Sequence, residues 1–267
     1  MNVCYSLLIA LSMYSKIPVP AVQWTKPRLR YTMCWFPLVG VVCGFLLWGW
    51  LLFVKWLDLH FAAAGLLGTC IPVLVTGGIH FDGFLDTLDA RSSYGEKEKK
   101  LEILKDPHTG AFAIIGGCVY FLAYAGCLIQ LIYDGFYGGV SGEKNLAAFF
   151  FAFPLERALS GLSIACFPCA KNSGLAYTFA DGAHRNCVKA LSTVWICFCL
   201  LGIVWICGPI PASLLTGVSG ISFWYYWHVS QKEFGGITGD LAGWFLQAFE
   251  LAALAVLALY GRWIITV

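Results

Sequence analysis

Four stretches of this chain run without a single Asp, Glu, Lys or Arg: residues 31–54, 59–81, 107–133 and 190–231. A helix that crosses a bilayer takes about 20 mostly apolar residues, and only a helix or a closed barrel satisfies the backbone there. The first three stretches each supply one such helix. The fourth is long enough for two, joined at the breakers Gly208-Pro209-Ile210-Pro211. Residues 146–169 and 240–262 add two more, although both carry ionisable groups. Composition agrees: 59% of residues are hydrophobic and 12% charged, against about 45–50% and 25% in a soluble domain. The expected fold is all-α, a polytopic integral membrane helix bundle with about seven transmembrane helices and a short N-terminal apolar helix. Residues 2–15 form that short segment, too short to cross unaided and lacking the basic start and cleavage site of a secretory leader. They read as a surface or re-entrant helix stopped at Ile17-Pro18-Val19-Pro20. No internal repeat or long linker divides the chain, so 1–267 reads as one transmembrane catalytic domain.

Lys and Arg orient it. Loop 16–30 holds four, loop 80–107 five, loop 170–189 three and loop 229–239 one, together 13 of the 17 basic residues. A seven-span topology puts these four loops on one side, and the positive-inside rule makes that side cytoplasmic. The expected location is the bacterial cytoplasmic (inner) membrane, multi-pass. A net charge of +2 points to no acidic partner, and nothing suggests nucleic acid.

The densest chemistry lies in Gly77-Gly78-Ile79-His80-Phe81-Asp82-Gly83-Phe84-Leu85-Asp86-Thr87-Leu88-Asp89. Its aspartates fall at i, i+4 and i+7, and on a helix the second and third lie within about 40° of the first. Bare, three carboxylates in one stripe repel. Around a divalent cation such as Mg²⁺, which takes oxygen ligands and shares them with substrate phosphates, they make sense. Seven of the fifteen acidic residues lie between His80 and Pro107, so the acidic loop 80–107 and its site face the cytoplasm in this topology. Residues 96–104 alternate in charge like a solvated helical face and carry no assigned chemistry. Lys105-Asp106-Pro107-His108-Thr109-Gly110 follows, a turn at a span's mouth that sets an ammonium and a fourth carboxylate near the stripe.

Two further places put ionisable groups where lipid penalises them. Glu156-Arg157 is either a self-neutralising structural pair or part of a polar pocket. Asp240, after Gly235-Gly236-Ile237-Thr238-Gly239, is either an N-cap or a pocket residue, with Glu250 about three turns deeper. His60, His184 and His228 read as structural. Most of the twelve cysteines lie inside apolar spans and behave as small hydrophobes. Cys166-Phe167-Pro168-Cys169 is a lone pair without the four ligands of a structural zinc site.

These segments, in this order, resemble the cobalamin synthase family, the adenosylcobinamide-GDP ribazoletransferases. The resemblance runs through Tyr14-Ser15-Lys16-Ile17-Pro18-Val19-Pro20, Phe36-Pro37-Leu38-Val39-Gly40 and the aspartate segment. It continues through Lys105-Asp106 with Gly110-Ala111-Phe112, and Gly236-Ile237-Thr238-Gly239-Asp240. Ala90 stands where the family has glycine, and Pro107-His108 where a small and a basic residue are usual; neither departure falls on an aspartate position. The resemblance implies a transferase that joins adenosylcobinamide-GDP to α-ribazole or its 5′-phosphate. The products are adenosylcobalamin or its 5′-phosphate, and GMP. Its implied cofactor is Mg²⁺, with Asp82, Asp86 and Asp89 as metal ligands and Asp106 as a fourth carboxylate. Arg91 and Lys105 are the expected phosphate contacts, Asp240 and Arg157 second-tier substrate contacts, and Asp82 the favoured proton acceptor. Its implied partners are the two substrates and the lipid bilayer, together with further copies of the chain and other cobalamin-pathway enzymes. A CDP-alcohol phosphotransferase is the nearest rival chemistry, but Leu85-Asp86 occupies the positions where that family has Ala-Arg. An ion-coupled transporter would place its acids near the midplane in repeated halves, and no repeat is visible.

Overall fold

The computed structural model describes residues 2–266 and is helical, with no strand among the described residues. The helices are α1 (Asn2–Tyr14), α2 (Lys26–Leu29), α3 (Thr32–Trp56), α4 (Phe61–Thr76), α5 (Ile79–Ser92) and α6 (Lys97–Ile103). They continue with α7 (Ala111–Tyr137), α8 (Gly139–Cys166), α9 (Leu175–Gly182), α10 (Arg185–Cys207), α11 (Pro209–Val229) and α12 (Gly239–Thr266). A π-helical turn, Ser230–Phe234, extends α11.

Five of them, α3, α7, α8, α10 and α12, are long and apolar enough to cross a membrane. That differs from the expected seven for local reasons. The segment expected to span 59–81 is the 16-residue α4, which ends at Gly77 and turns by 97° into α5; counted as one broken span, the pair makes six. Gly77 and Gly78 both take left-handed φ, +67° and +79°, a conformation that side chains with a Cβ resist. The 14-residue α5, about 21 Å long at 1.5 Å per residue, carries Asp82, Asp86, Asp89 and Arg91 and reads by composition as a surface helix rather than a spanning one. α11 has 21 uncharged residues, but Ser, Gly and Tyr dilute it below the hydropathy of the other five. The short N-terminal helix forms as expected, as the 13-residue α1.

At the centre of the bundle α8 packs against α3, α7, α10 and α12. The sequence explains its place: Ala147-Ala148-Phe149-Phe150-Phe151-Ala152-Phe153 alternates small and aromatic side chains, and 78% of its apolar window is buried. α10 is more apolar than α8 but only 22% buried, with Val194, Phe198, Leu201 and Trp205 pointing outward, as a lipid-facing helix requires. All twelve cysteines are free.

The four basic loops meet at one end. Lys26 pairs with Asp181 at 2.7 Å and Arg30 O accepts from His184 N at 3.0 Å, joining the first loop to the third. Arg91, Lys97 and Lys100 reach Glu233 or Gln231, joining the second to the fourth. Lys171 Nζ donates to Leu101 O at 2.9 Å, joining the third to the second.

Candidate active site

α5 lies against α12 at backbone contact. A Cβ on Gly83 would stand 2.7 Å from Asp240 Cα, and a Cβ on Gly243 would stand 2.7 Å from His80 O. This mutual small-residue contact draws the start of α12 into the turn of α5 that carries Asp82 and Asp86. Thr238 caps α12, its Oγ1 accepting from Leu241 N at 3.2 Å. Asp240 is therefore not the N-cap; Thr238 Oγ1 donates to it at 3.4 Å, and its carboxylate belongs to the α5 face.

The carboxylates differ in what already binds them. Asp82 is exposed and Asp86 half-buried, and neither side chain accepts a hydrogen bond among the described residues. Asp89 is committed: Oδ2 accepts from Gly110 N at 2.6 Å and Oδ1 from Ala113 N at 2.8 Å. α7 begins after a glycine and has no cap of its own, so Asp89 supplies one from α5 and ties the acidic loop's end to its beginning. Asp106 turns instead to its own loop, accepting from His108 N at 2.9 Å and pairing with His108 Nδ1 at 2.7 Å. The stripe thus gathers Asp82, Asp86, Asp89 and Asp240, and Asp106 stands apart from it.

Burial first, then the charges of Asp82, Asp240 and Asp89, push the Asp86 carboxyl up from 3.8 to about 6. A group whose folded pKa is raised stabilises the fold below its unfolded value and loses that contribution as pH climbs through the folded one. Metal-free protein should therefore melt lower at pH 7 than at pH 5. Asp86→Asn should melt higher than wild type at pH 7 and lose most of that pH dependence, as differential scanning fluorimetry in lipid nanodiscs would show. Wild-type melting that rises from pH 5 to pH 7 would contradict this.

The donor set is all oxygen, and its two free members carry uncompensated charge, which fits a hard divalent cation. Among the described residues no three His, Cys, Asp or Glu side chains close a metal sphere by themselves. A cation here would take its remaining ligands from water and substrate phosphate, the usual arrangement for Mg²⁺.

The basic residues also divide. Arg91 donates from Nη2 to Glu233 Oε1 at 3.1 Å and to Tyr225 Oη at 3.0 Å, and lies over the Trp244 ring. Lys100 closes the same cluster on Glu233 at 2.6 Å. Arg91 is therefore mostly consumed in pinning α5 to the π turn, and its geometry favours a phosphate role least. Arg157 is 1% exposed, pairing with Glu156 and donating to Phe153 O at 3.0 Å inside the bundle rather than at the carboxylate face. Lys105 is exposed and free of carboxylate partners among the described residues. Lys171, which the sequence did not single out, lies within electrostatic reach of Lys105 and Asp240. Its only local signal is a lysine between two loop-forming runs.

The family model described as cobalamin-5-phosphate synthase matches residues 6–258. The chain belongs to that family. An adenosylcobinamide-GDP ribazoletransferase of Lachnoclostridium phytofermentans is 43% identical over 96% of this chain and 94% of its own length. Relatives of the same name are 30% identical in Clostridium botulinum (strain Eklund 17B / Type B), over 95% of this chain and 96% of theirs, and 29% in Brevibacillus brevis, over 97% and 98%. No solved structure matches the chain. This member of the cobalamin-5-phosphate synthase family is thus an enzyme, a transferase of cobalamin biosynthesis with membrane helices. The transporter and CDP-alcohol readings give way to it.

Proposed function

We propose that this enzyme joins adenosylcobinamide-GDP to α-ribazole, or to its 5′-phosphate, and releases GMP, using Mg²⁺ at the α5 carboxylates. The observation that carries the chemistry is the gathering of Asp82, Asp240 and Asp89 around Asp86, with no ion-pairing Lys or Arg on Asp82 or Asp86 among the described residues. The names of the relatives carry the substrates. The ribose 3′-oxygen, free in both α-ribazole and its 5′-phosphate, attacks the cobinamide-linked phosphorus. A new P–O bond forms, the bond to the bridging oxygen breaks, and GMP leaves with that oxygen. Asp82, exposed and without a hydrogen-bond donor, accepts the hydroxyl proton. Asp86 and Asp240, with the free lone pairs of Asp89, would hold the cation, which neutralises diphosphate charge when bound. Lys105 would approach the phosphates from the facing loop. The site end carries 13 of the 17 basic residues, which supports a cytoplasmic orientation in the inner membrane.

Metal removal tests the cofactor. Protein in nanodiscs, stripped with a chelator and given both substrates, should release GMP at a few per cent of its rate with added Mg²⁺, and Mg²⁺ add-back should restore it. Undiminished release in excess chelator would remove the metal from the reading.

A further inference from the structure

The segment after α8 runs extended and pairs in parallel with residues leading into α12. Ala170 N donates to Ile237 O and Ile237 N to Pro168 O, both at 2.9 Å. The pairing is close: a Cβ on Gly236 would stand 2.5 Å from Ala170 N and 2.6 Å from Cys169 C. Ile237 leads in three residues to Asp240, and Ala170 in one to Lys171, so the bridge brings the backbones that carry Lys171 and Asp240 together. From the other side Lys171 Nζ donates to Leu101 O at 2.9 Å, on the α6 end that continues to Lys105. Lys105 and Asp240 both lie within electrostatic reach of Lys171.

Among the described residues neither Lys105 nor Lys171 has an ion-pairing carboxylate, whereas Lys26, Lys99 and Lys100 of the same end each do. Two ammonium groups drawn together at the rim of a carboxylate-lined site, with only a backbone carbonyl as partner, are offset by an anionic ligand. Lysine suits that task as a compact point charge on a flexible stem.

We propose that Lys105 and Lys171 form the diphosphate-binding site of this enzyme, opposite the α5 carboxylates, with Lys171 exchanging Leu101 O for a phosphate oxygen. The inference rests on the reaction proposed above and adds a substrate contact that lies 82 residues beyond Asp89 in the chain. The bare alternative is a lysine that only anchors α6.

Steady-state kinetics in nanodiscs at saturating Mg²⁺ separate the two. Lys171→Met should raise KM for adenosylcobinamide-GDP by about 10- to 100-fold, the loss of one charge-assisted contact. KM for α-ribazole and the melting temperature should stay at wild-type values, and Lys171→Arg should recover most of the loss. Lys105→Met should behave likewise. An unchanged KM for the diphosphate substrate, or a loss tracking a lowered melting temperature in Lys171→Met, would overturn the inference. Binding of Mg²⁺–pyrophosphate by calorimetry decides even where wild type makes no cobalamin, an outcome that sinks the proposed reaction instead. Tighter binding by wild type than by Lys171→Met then upholds the anion site, and equal binding removes it.

Discussion

Asp82→Asn should abolish turnover and leave the protein folded. The substitution keeps the shape of the side chain and removes its charge and its capacity to accept a proton. The Asp82 side chain is exposed and makes no hydrogen bond among the described residues, so its replacement leaves the helix's own bonds in place; surface changes of this kind stay within about 0.5 kcal/mol. Loss of a general base alone costs about 10²- to 10⁴-fold. GMP release and melting temperature, measured on the same nanodisc sample, check both halves. Activity above about a tenth of wild type, further than a lost base allows, would take Asp82 out of the reaction.

Arg157→Met should have the largest effect on stability. Arg157 pairs with one buried carboxylate, Glu156, and has a second, Glu250, within electrostatic reach. Nη1 pairs with Glu156 and bonds Phe153 O, and Glu250, 1% exposed, accepts from Tyr124 Oη at 2.6 Å. Tyr120 donates to Gln247 Oε1 at 2.8 Å in the same layer, and Cys43 Sγ lies 3.7 Å from Nη2. The polar layer thus stitches α3, α7, α8 and α12 together. Removing the guanidinium leaves Glu156 unpaired in low dielectric, and breaking a buried pair from one side costs about 3–5 kcal/mol. That is a large part of the stability of an ordinary domain. Adding Glu156→Gln should restore much of the loss, because it removes the stranded charge. Denaturant titration in detergent would show the single variant far less stable than the double. Equal stability of wild type and Arg157→Met would make the cluster incidental.

What the sequence revealed followed the range of the forces involved. The aspartate stripe was legible because helix periodicity is local: Asp82, Asp86 and Asp89 share α5 as their spacing required. So was the end of the molecule that carries the site, because Lys and Arg mark it. The span count was less legible. Gly77-Gly78 was in plain view, yet an uncharged run through Phe81 looks continuous until two left-handed residues turn it by 97°. The division of labour among the charges was not legible at all. Asp89 caps a helix that starts 22 residues later, Arg91 meets Glu233 across 142 residues, and Lys171 reaches the site through a bridge between Cys169 and Ile237. Each depends on tertiary pairing that no local pattern encodes. Thr238 shows the same limit at short range: Thr238 and Asp240 are both good capping residues, and only the geometry shows which one caps.

The central claim is that a ribose hydroxyl attacks a diphosphate at this carboxylate face. It is tested most directly by giving purified protein in lipid adenosylcobinamide-GDP, Mg²⁺ and α-ribazole carrying a heavy-oxygen label in its ribose 3′-hydroxyl. The account predicts a corrinoid product whose mass corresponds to adenosylcobalamin and which retains the label, with unlabelled GMP released in equal amount. Label in the GMP, or no corrinoid product from folded protein with either ribazole form, would contradict it.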